Sequence, residues 1–185
     1  MTADELDEAF AGWASGLVDE EIEALRTYQA GGHAAINRLL RAPRRGRHIE
    51  REELDRLAPQ ILDVDRAIAA GAIPRPVVVY RGVREAADII EIDRPRDLVG
   101  TVIADDGFLS TTLYDGVAIR FARRRTGCIL RIELGPGPQA AWVALVGAAR
   151  WAPQAELLLP RQLPLRVRAV RRGRSIMVIE ADDRP

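Results

Sequence analysis

Ile73-Pro74-Arg75-Pro76-Val77-Val78-Val79-Tyr80-Arg81-Gly82 divides the chain into two kinds of sequence. Pro74 and Pro76 stop any helix that precedes them, because proline lacks an amide donor and biases its predecessor away from the α region. The β-branched run Val77-Val78-Val79, continued by Tyr80, predicts a buried strand. Upstream, apolar residues recur at helical spacing. Downstream, they come in short runs between turn residues. Helices first and mostly strands afterwards predict an α+β domain rather than an alternating α/β one.

Working back from Ile73, a helix from about Glu50 to Ala70 carries Leu54, Leu57, Ile61 and Ile68 at helical spacing. Pro43 and the Arg44-Arg45-Gly46-Arg47 cluster form the loop before it. An earlier helix carries Ile36, Leu39 and Leu40, and Gly31-Gly32 separates it from a first one that Asp19 can cap, with Ile22, Leu25 and Tyr28 on its apolar face. Residues 1 to about 72 thus read as a helical lobe. Working forward, Phe108 to Thr112 predicts a short strand, and Tyr114 to Arg125 a helix with Ala118, Phe121 and Ala122 on one face. Cys128 to Leu134 predicts a strand ended by Gly135-Pro136-Gly137-Pro138. Glu156 to Leu159, Pro164 to Val170 and Ser175 to Ala181 complete a β-rich half. In the second of these Leu165, Val167 and Ala169 alternate with Arg166 and Arg168, which predicts one buried and one wet face. Residues 1–185 read as one domain, with the β-rich core at about 73–185.

A chain of 185 residues that is 48% hydrophobic can bury a real core. Its formal net charge of +0 excludes a strong general pull toward nucleic acid or anionic membrane. Charge is uneven locally: Asp4, Glu5, Asp7, Glu8 and Asp19 to Glu23 are acidic at one end, and Arg161 to Arg174 are basic at the other. Cys128 is the lone cysteine, so no internal disulfide forms, and its apolar neighbours predict a buried thiol. With 2 histidines and 1 cysteine, a zinc site is not expected. No stretch is apolar for long enough to span a membrane. The acidic N-terminus lacks the basic-then-apolar pattern of a secretory signal peptide, so export is expected through a dedicated injection machine or as part of a larger chain. All 27 basic residues are arginine. A GC-rich genome explains this, as does avoidance of ubiquitination inside a host cell; the many Ala, Gly and Pro residues favour the first.

Three segments carry chemistry: Tyr80-Arg81-Gly82, Phe108-Leu109-Ser110-Thr111-Thr112, and Trp151-Ala152-Pro153-Gln154-Ala155-Glu156-Leu157-Leu158-Leu159-Pro160. Each alone has a bland reading, respectively a strand-end ion pair, a strand edge and a strand-start charge. In this order and with these flanks, together with Tyr28 and the helix bearing Asn37 and Arg41, they resemble the Arg–Ser–Glu class of mono-ADP-ribosyltransferases over most of the chain. The resemblance implies a core of two mixed β-sheets packed face to face, an N-terminal helical lobe across one side, and NAD bound in the cleft between the sheets.

By that resemblance Arg81 grips the pyrophosphate of NAD, for which the forked guanidinium is suited. Arg41, four residues after Asn37 on one helix face, reaches with it to the phosphate and ribose; a solvated Arg41 beside the Arg44-Arg45 loop is the competing reading. Gly82, Ser110 and Thr111 complete the cofactor-binding set. Glu156 is the catalytic carboxylate, which stabilises the positive charge that develops on the ribose as the nicotinamide bond breaks. Ser110 orients it. Thr112 stands where the family has a second serine. Gln154 replaces the second glutamate of arginine-specific members, and Gln-x-Glu with Trp151 three positions earlier is similar to the clostridial Rho-modifying exoenzymes, which modify asparagine. An amide acceptor can be gripped by an amide through complementary donor and acceptor. Trp151 is then an exposed aromatic on the substrate-recognition loop, with a core tryptophan as the alternative.

The resemblance implies an effector or toxin that modifies a target protein in a host or competitor cell, with a cognate immunity protein as a possible partner, as a monomer without a metal. Three other functions stay open: an NAD glycohydrolase, modification of nucleic acid, and an inactive relative kept as a phage-head or adhesion component.

Overall fold

A computed structural model of the chain describes residues 1–86, 95–122, 126–172 and 176–183. Helices α1 (Ala3–Gly16), α2 (Asp19–Thr27), α3 (His33–Arg41) and α4 (Arg51–Ala70) precede the first strand. Val18, not Asp19, is the N-cap of α2; its amide donates to Glu21 Oε2 at 3.2 Å, and Asp19 starts the helix, where its charge favours the dipole. The Gly31-Gly32 break is a π turn at Tyr28–Gly32, with Gly31 at φ 128°. Only glycine reaches that angle without strain. On α4, Leu57, Ile61 and Ile68 are buried as expected, but Leu54 is exposed, and Val64 and Ala67 complete the inner face.

The strands are β1 (Val77–Val83), β2 (Val102–Ile103), β3 (Leu109–Thr112), β4 (Cys128–Leu134), β5 (Ala141–Trp142), β6 (Glu156–Leu159), β7 (Leu165–Arg172) and β8 (Met177–Asp182). The short α5 (Asp115–Phe121) and α6 (Val143–Val146) lie among them. The expected helix from Tyr114 to Arg125 is shorter than its sequence suggested: α5 ends at Phe121, which is exposed, and Ala122 is already extended, so these two do not share a buried face with Ala118. Arg123–Arg125 and the expected strand start at Ser175 lie outside the described residues. All eight strands join one ladder, ordered β2-β7-β8-β4-β1-β3-β6-β5, mixed because β4 and β8 run parallel. The two expected sheets are its two halves. Between β1 and β3 the seam has a single register pair, Tyr80↔Thr112, so the halves fold toward each other. Leu109, Leu157 and Leu159 from one half share a core with Val79, Leu130, Ile132 and Ile179 from the other.

β6 is apolar on both faces, which explains a run of leucines with no polar alternation. Leu157 and Leu159 enter the core between the halves. Leu158 packs outward against the helical lobe, with Leu25, Tyr28, Ile36, Ile68 and Phe108. Glu156 is two residues before Leu158, so it shares the lobe-facing side of the strand. In β7 the expected alternation holds at Leu165 and Val167 and then breaks. A bulge between Val167 and Ala169 resets the face, so Val170 packs against the core and Ala169 is only half-buried.

Candidate active site

Thr112 lies opposite Glu156 in the β3–β6 ladder and Ser110 opposite Leu158. Ser110 and Glu156 are therefore diagonal neighbours on one face, within side-chain reach. The Ser110 hydroxyl donates to Glu156 Oε1. Gln29, from the π turn of the lobe, donates to Oε2 at 3.1 Å. Glu156 is only 6% exposed. Burial pushes its carboxyl above the usual range, while the Ser110 and Gln29 hydrogen bonds and the charges of His33 and Arg81 pull the other way without cancelling it. Such a carboxylate is poorly solvated and fixed in direction, as a group that must stabilise a developing cation should be.

The turn before Glu156 is a 3₁₀ segment, Ala149–Gln154. It ends at Ala155, whose φ of 46° and ψ of 56° are left-handed. A non-glycine residue there costs roughly 1–2 kcal/mol, a strain of the kind that clusters at functional sites. Thr112 holds the turn through its hydroxyl, which donates to the Gln154 carbonyl at 2.5 Å. That is a physical role for a hydroxyl where the family has serine. The Gln154 amide has no hydrogen-bond partner among the described residues. Trp151 is half-buried, not exposed, with Arg150 5.4 Å over its ring and its indole N–H buried without a partner.

Arg81 and Arg41 converge on a residue that the motifs did not single out. Asp105 accepts Arg41 Nε and Nη2 at 2.7 and 2.6 Å, Arg81 Nη2 at 3.1 Å, and the Gly107 amide at 2.9 Å. It is 5% exposed. The solvated Arg41 is thereby overturned: its side chain is largely buried and paired bidentately. β1 runs on to Val83, so Arg81 is inside the strand rather than at its end. Its Nη1 donates to the Phe108 carbonyl at 3.1 Å, and its Nε is buried without a partner. The sequence signal for Asp105 was weak: Asp105-Asp106-Gly107 reads as a turn, and an Asp that accepts the amide two residues on is an ordinary turn device.

Three other expected cofactor residues are engaged by the protein itself. Asn37 clamps Phe108, accepting its amide at 2.9 Å, and donates to the Tyr28 hydroxyl at 3.0 Å. Thr111 donates to the Leu157 carbonyl and pins β3 to β6. At Gly82 a Cβ would sit 2.0 Å from the Ala118 carbonyl oxygen, so the glycine lets α5 lie on β1. Asn37, Thr111 and Gly82 nonetheless border the same cleft as Arg41, Arg81, Ser110, Trp151, Gln154 and Glu156, a space of about 470 Å³. That volume is within the usual range for a small-molecule site. Arg41 and Arg81 both line this cleft, and guanidinium groups are suited to an anionic ligand.

An α+β fold in which two largely buried arginines and a glutamate held at both carboxylate oxygens line one cleft suits a class of proteins that take a phosphate-bearing ligand. The comparisons with known proteins give the class its name. The sequence model of the ADP-ribosyltransferase exoenzyme family matches residues 7–183, and the chain belongs to that family. Its activity is NAD-dependent mono-ADP-ribosyl transfer. No curated protein sequence matches the chain. Among solved structures, it is similar to Plx2a, an ADP-ribosyltransferase toxin from Paenibacillus larvae, at 20% identity and a TM-score of 0.75, over 97% of this chain and 94% of that one. An ADP-ribosyltransferase from Clostridium botulinum superimposes with a TM-score of 0.72 at 16% identity, over 97% and 94%. The C3 exoenzyme of Clostridium limosum gives 0.71 at 20%, over 98% and 94%. These similarities show the fold.

Proposed function

We propose that the chain transfers ADP-ribose from NAD to an amide side chain of a target protein, with Glu156 as the catalytic carboxylate and Gln154 as the group that aligns the acceptor. The observation that carries this reading is the pairing, across one left-handed residue, of a buried carboxylate held at both oxygens with an amide that has no partner of its own among the described residues. Arg41 and Arg81, held in place by Asp105, bind the pyrophosphate. Glu156 faces the ribose, steadies the positive charge that grows as nicotinamide leaves, and holds the 2′-hydroxyl. The Trp151 ring forms one wall of the acceptor subsite.

The target is a protein in another cell, host or competitor, reached by secretion or injection, and the enzyme acts as a monomer that a cognate immunity protein could block. Modification of nucleic acid is disfavoured by charge pairing: Arg161, Arg168 and Arg171 face Asp65, Asp182 and Glu180. The test is mass spectrometry of target-cell lysate after reaction with labelled NAD. ADP-ribose on asparagine or glutamine supports the proposal. ADP-ribose on arginine refutes the acceptor assignment, and free ADP-ribose as the only product refutes protein transfer.

A further inference from the structure

Gln29 lies in the π turn between α2 and α3, and no motif points to it. Its side chain joins two distant segments. The amide nitrogen donates to Glu156 Oε2 at 3.1 Å, and the amide oxygen accepts the Ala148 N–H at 3.1 Å. Only this orientation serves both, because turning the amide over would set its oxygen against the carboxylate and its NH₂ against an N–H. The approach is close enough to exclude a side chain next door. A Cβ on Gly147 would stand 2.4 Å from Gln29 Oε1 and 2.8 Å from the Val143 carbonyl oxygen. Arg26, three residues before Gln29, donates its Nε to the Val146 carbonyl at 3.0 Å. Two side chains of the lobe thus hold residues 146–148, the segment that leads into the turn bearing Trp151 and Gln154.

We infer that Gln29 is a positioning residue that locks the catalytic carboxylate and the acceptor-recognition turn to each other. The inference rests on the assignment of Glu156 as the catalytic carboxylate. Ser110 fixes one oxygen and Gln29 the other, so the carboxylate plane cannot rotate about its last torsion and its remaining lone pairs keep one direction. Since the same amide grips Ala148, displacement of the turn is felt at Glu156. The charged and titratable groups that face Glu156 are Tyr28 from the π turn, His33 from α3 and Arg81 from β1. His33 and Arg81 favour its ionised form, as the Gln29 donor does, and burial opposes it. Losing the Gln29 donor therefore makes Glu156 harder to ionise.

The experiment is the pH profile of NAD turnover by the full chain, for the parent, Gln29→Met, Gln29→Glu and Glu156→Ala. Gln29→Met is expected to leave KM for NAD within about twofold, to lower kcat roughly tenfold, the scale of one hydrogen bond to a charged group, and to move the acidic limb to higher pH. Gln29→Glu is expected to move that limb further, because a second carboxylate opposes ionisation of the first. It keeps the side chain's size, so it also reports if Gln29→Met does not fold. An acidic limb that stays in place in both variants overturns the inference, whether or not kcat falls. Glu156→Ala isolates the underlying assignment: turnover equal to the parent would refute Glu156 itself, and that result does not depend on either Gln29 variant.

Discussion

The two ends of the cleft differ in how their polar groups are satisfied. At the arginine end, Arg41 and Arg81 share the Asp105 carboxylate, Asp105 also takes the Gly107 amide, and Asn37 clamps Phe108 beside them. Their positions are set before any ligand arrives. At the turn end, the Trp151 indole N–H is buried without a partner, and strained Ala155 joins Gln154, whose amide is unpaired among the described residues, to Glu156. A paired network suits a ligand that is always the same, because its donors need no rearrangement. Open polar groups on a strained turn suit a partner that supplies the missing bonds. Glu156 stands between the two, held from β3 by Ser110 and from the lobe by Gln29.

The largest effect should come from the residue both ends depend on. Glu156→Ala is expected to reduce NAD turnover and protein transfer together by roughly 10²–10³ or more, the scale of losing a preorganised electrostatic group. The circular dichroism of the variant should match the parent. A folded variant with near-normal turnover would show that neither end of the cleft depends on Glu156.

Next come changes that should separate the ends. Gln154→Ala is expected to abolish transfer to the protein acceptor while slow NAD hydrolysis persists, since Gln154 would touch the acceptor and not the scissile bond. Trp151→Ala should act the same way but more weakly, through lost contact area. Parallel assays of labelled target and free ADP-ribose read both. Equal losses in the two assays would show that the turn end is part of the hydrolytic machinery.

Asp105→Asn probes the other end and should weaken NAD binding about tenfold, because an amide cannot hold two guanidinium groups as a carboxylate does. Arg81→Lys should weaken it to a similar degree despite keeping the charge, since an ammonium cannot fork onto two oxygens. Calorimetric titration of NAD checks both. Unchanged affinity in Asp105→Asn would mean that Arg81 is held well enough by the Phe108 and Ser110 carbonyls and that the Arg41–Asp105 pair does not matter for NAD.

Helices α2 to α4 and the main strands could be read from the sequence because each had a period or a punctuation mark: Gly31-Gly32 for the break, Val77-Val78-Val79 for β1, Gly135 to Pro138 for the end of β4. Helix α1 was not singled out within the helical lobe, and the one-turn α6 carries too few residues to show a period. The strands β2 and β5 could not, because two residues carry no period. The bulge in β7 was also hidden, since Leu165 to Ala169 alternate perfectly on paper and only the pairing with β8 shows the slip. In the site, Arg81, Ser110, Gln154 and Glu156 were legible through their motifs, and the structure brings them to one cleft. Asp105 and Gln29 were not. Each acts through side-chain contacts with residues far away in sequence, and neither residue type is unusual in a turn.

The smallest expected effect concerns stability, and its sign follows from the raised carboxyl of Glu156. Burial lifts it above the ordinary value of 4.5, so the folded state binds its proton more tightly than the unfolded state does. Between 4.5 and the raised folded value, the unfolded chain therefore holds fewer protons, and stability falls as pH rises. Below 4.5 both states are protonated and the contribution is fully present; above the folded value it is lost. Glu156→Gln removes this titration. Its melting temperature relative to the parent should accordingly rise as pH is raised from about 4 toward neutrality, starting near the carboxylate reference range. For a chain of this size about 1 kcal/mol corresponds to roughly 2–4 °C, so melting curves across that range resolve the trend. Asp105→Asn serves as the contrast: its carboxylate is paired with two guanidinium groups, and removing it should lower the melting temperature at neutral pH. A Glu156→Gln variant whose melting temperature relative to the parent falls from about pH 4 toward neutrality would show that burial does not raise the Glu156 carboxyl and that it is held for ordinary structural reasons.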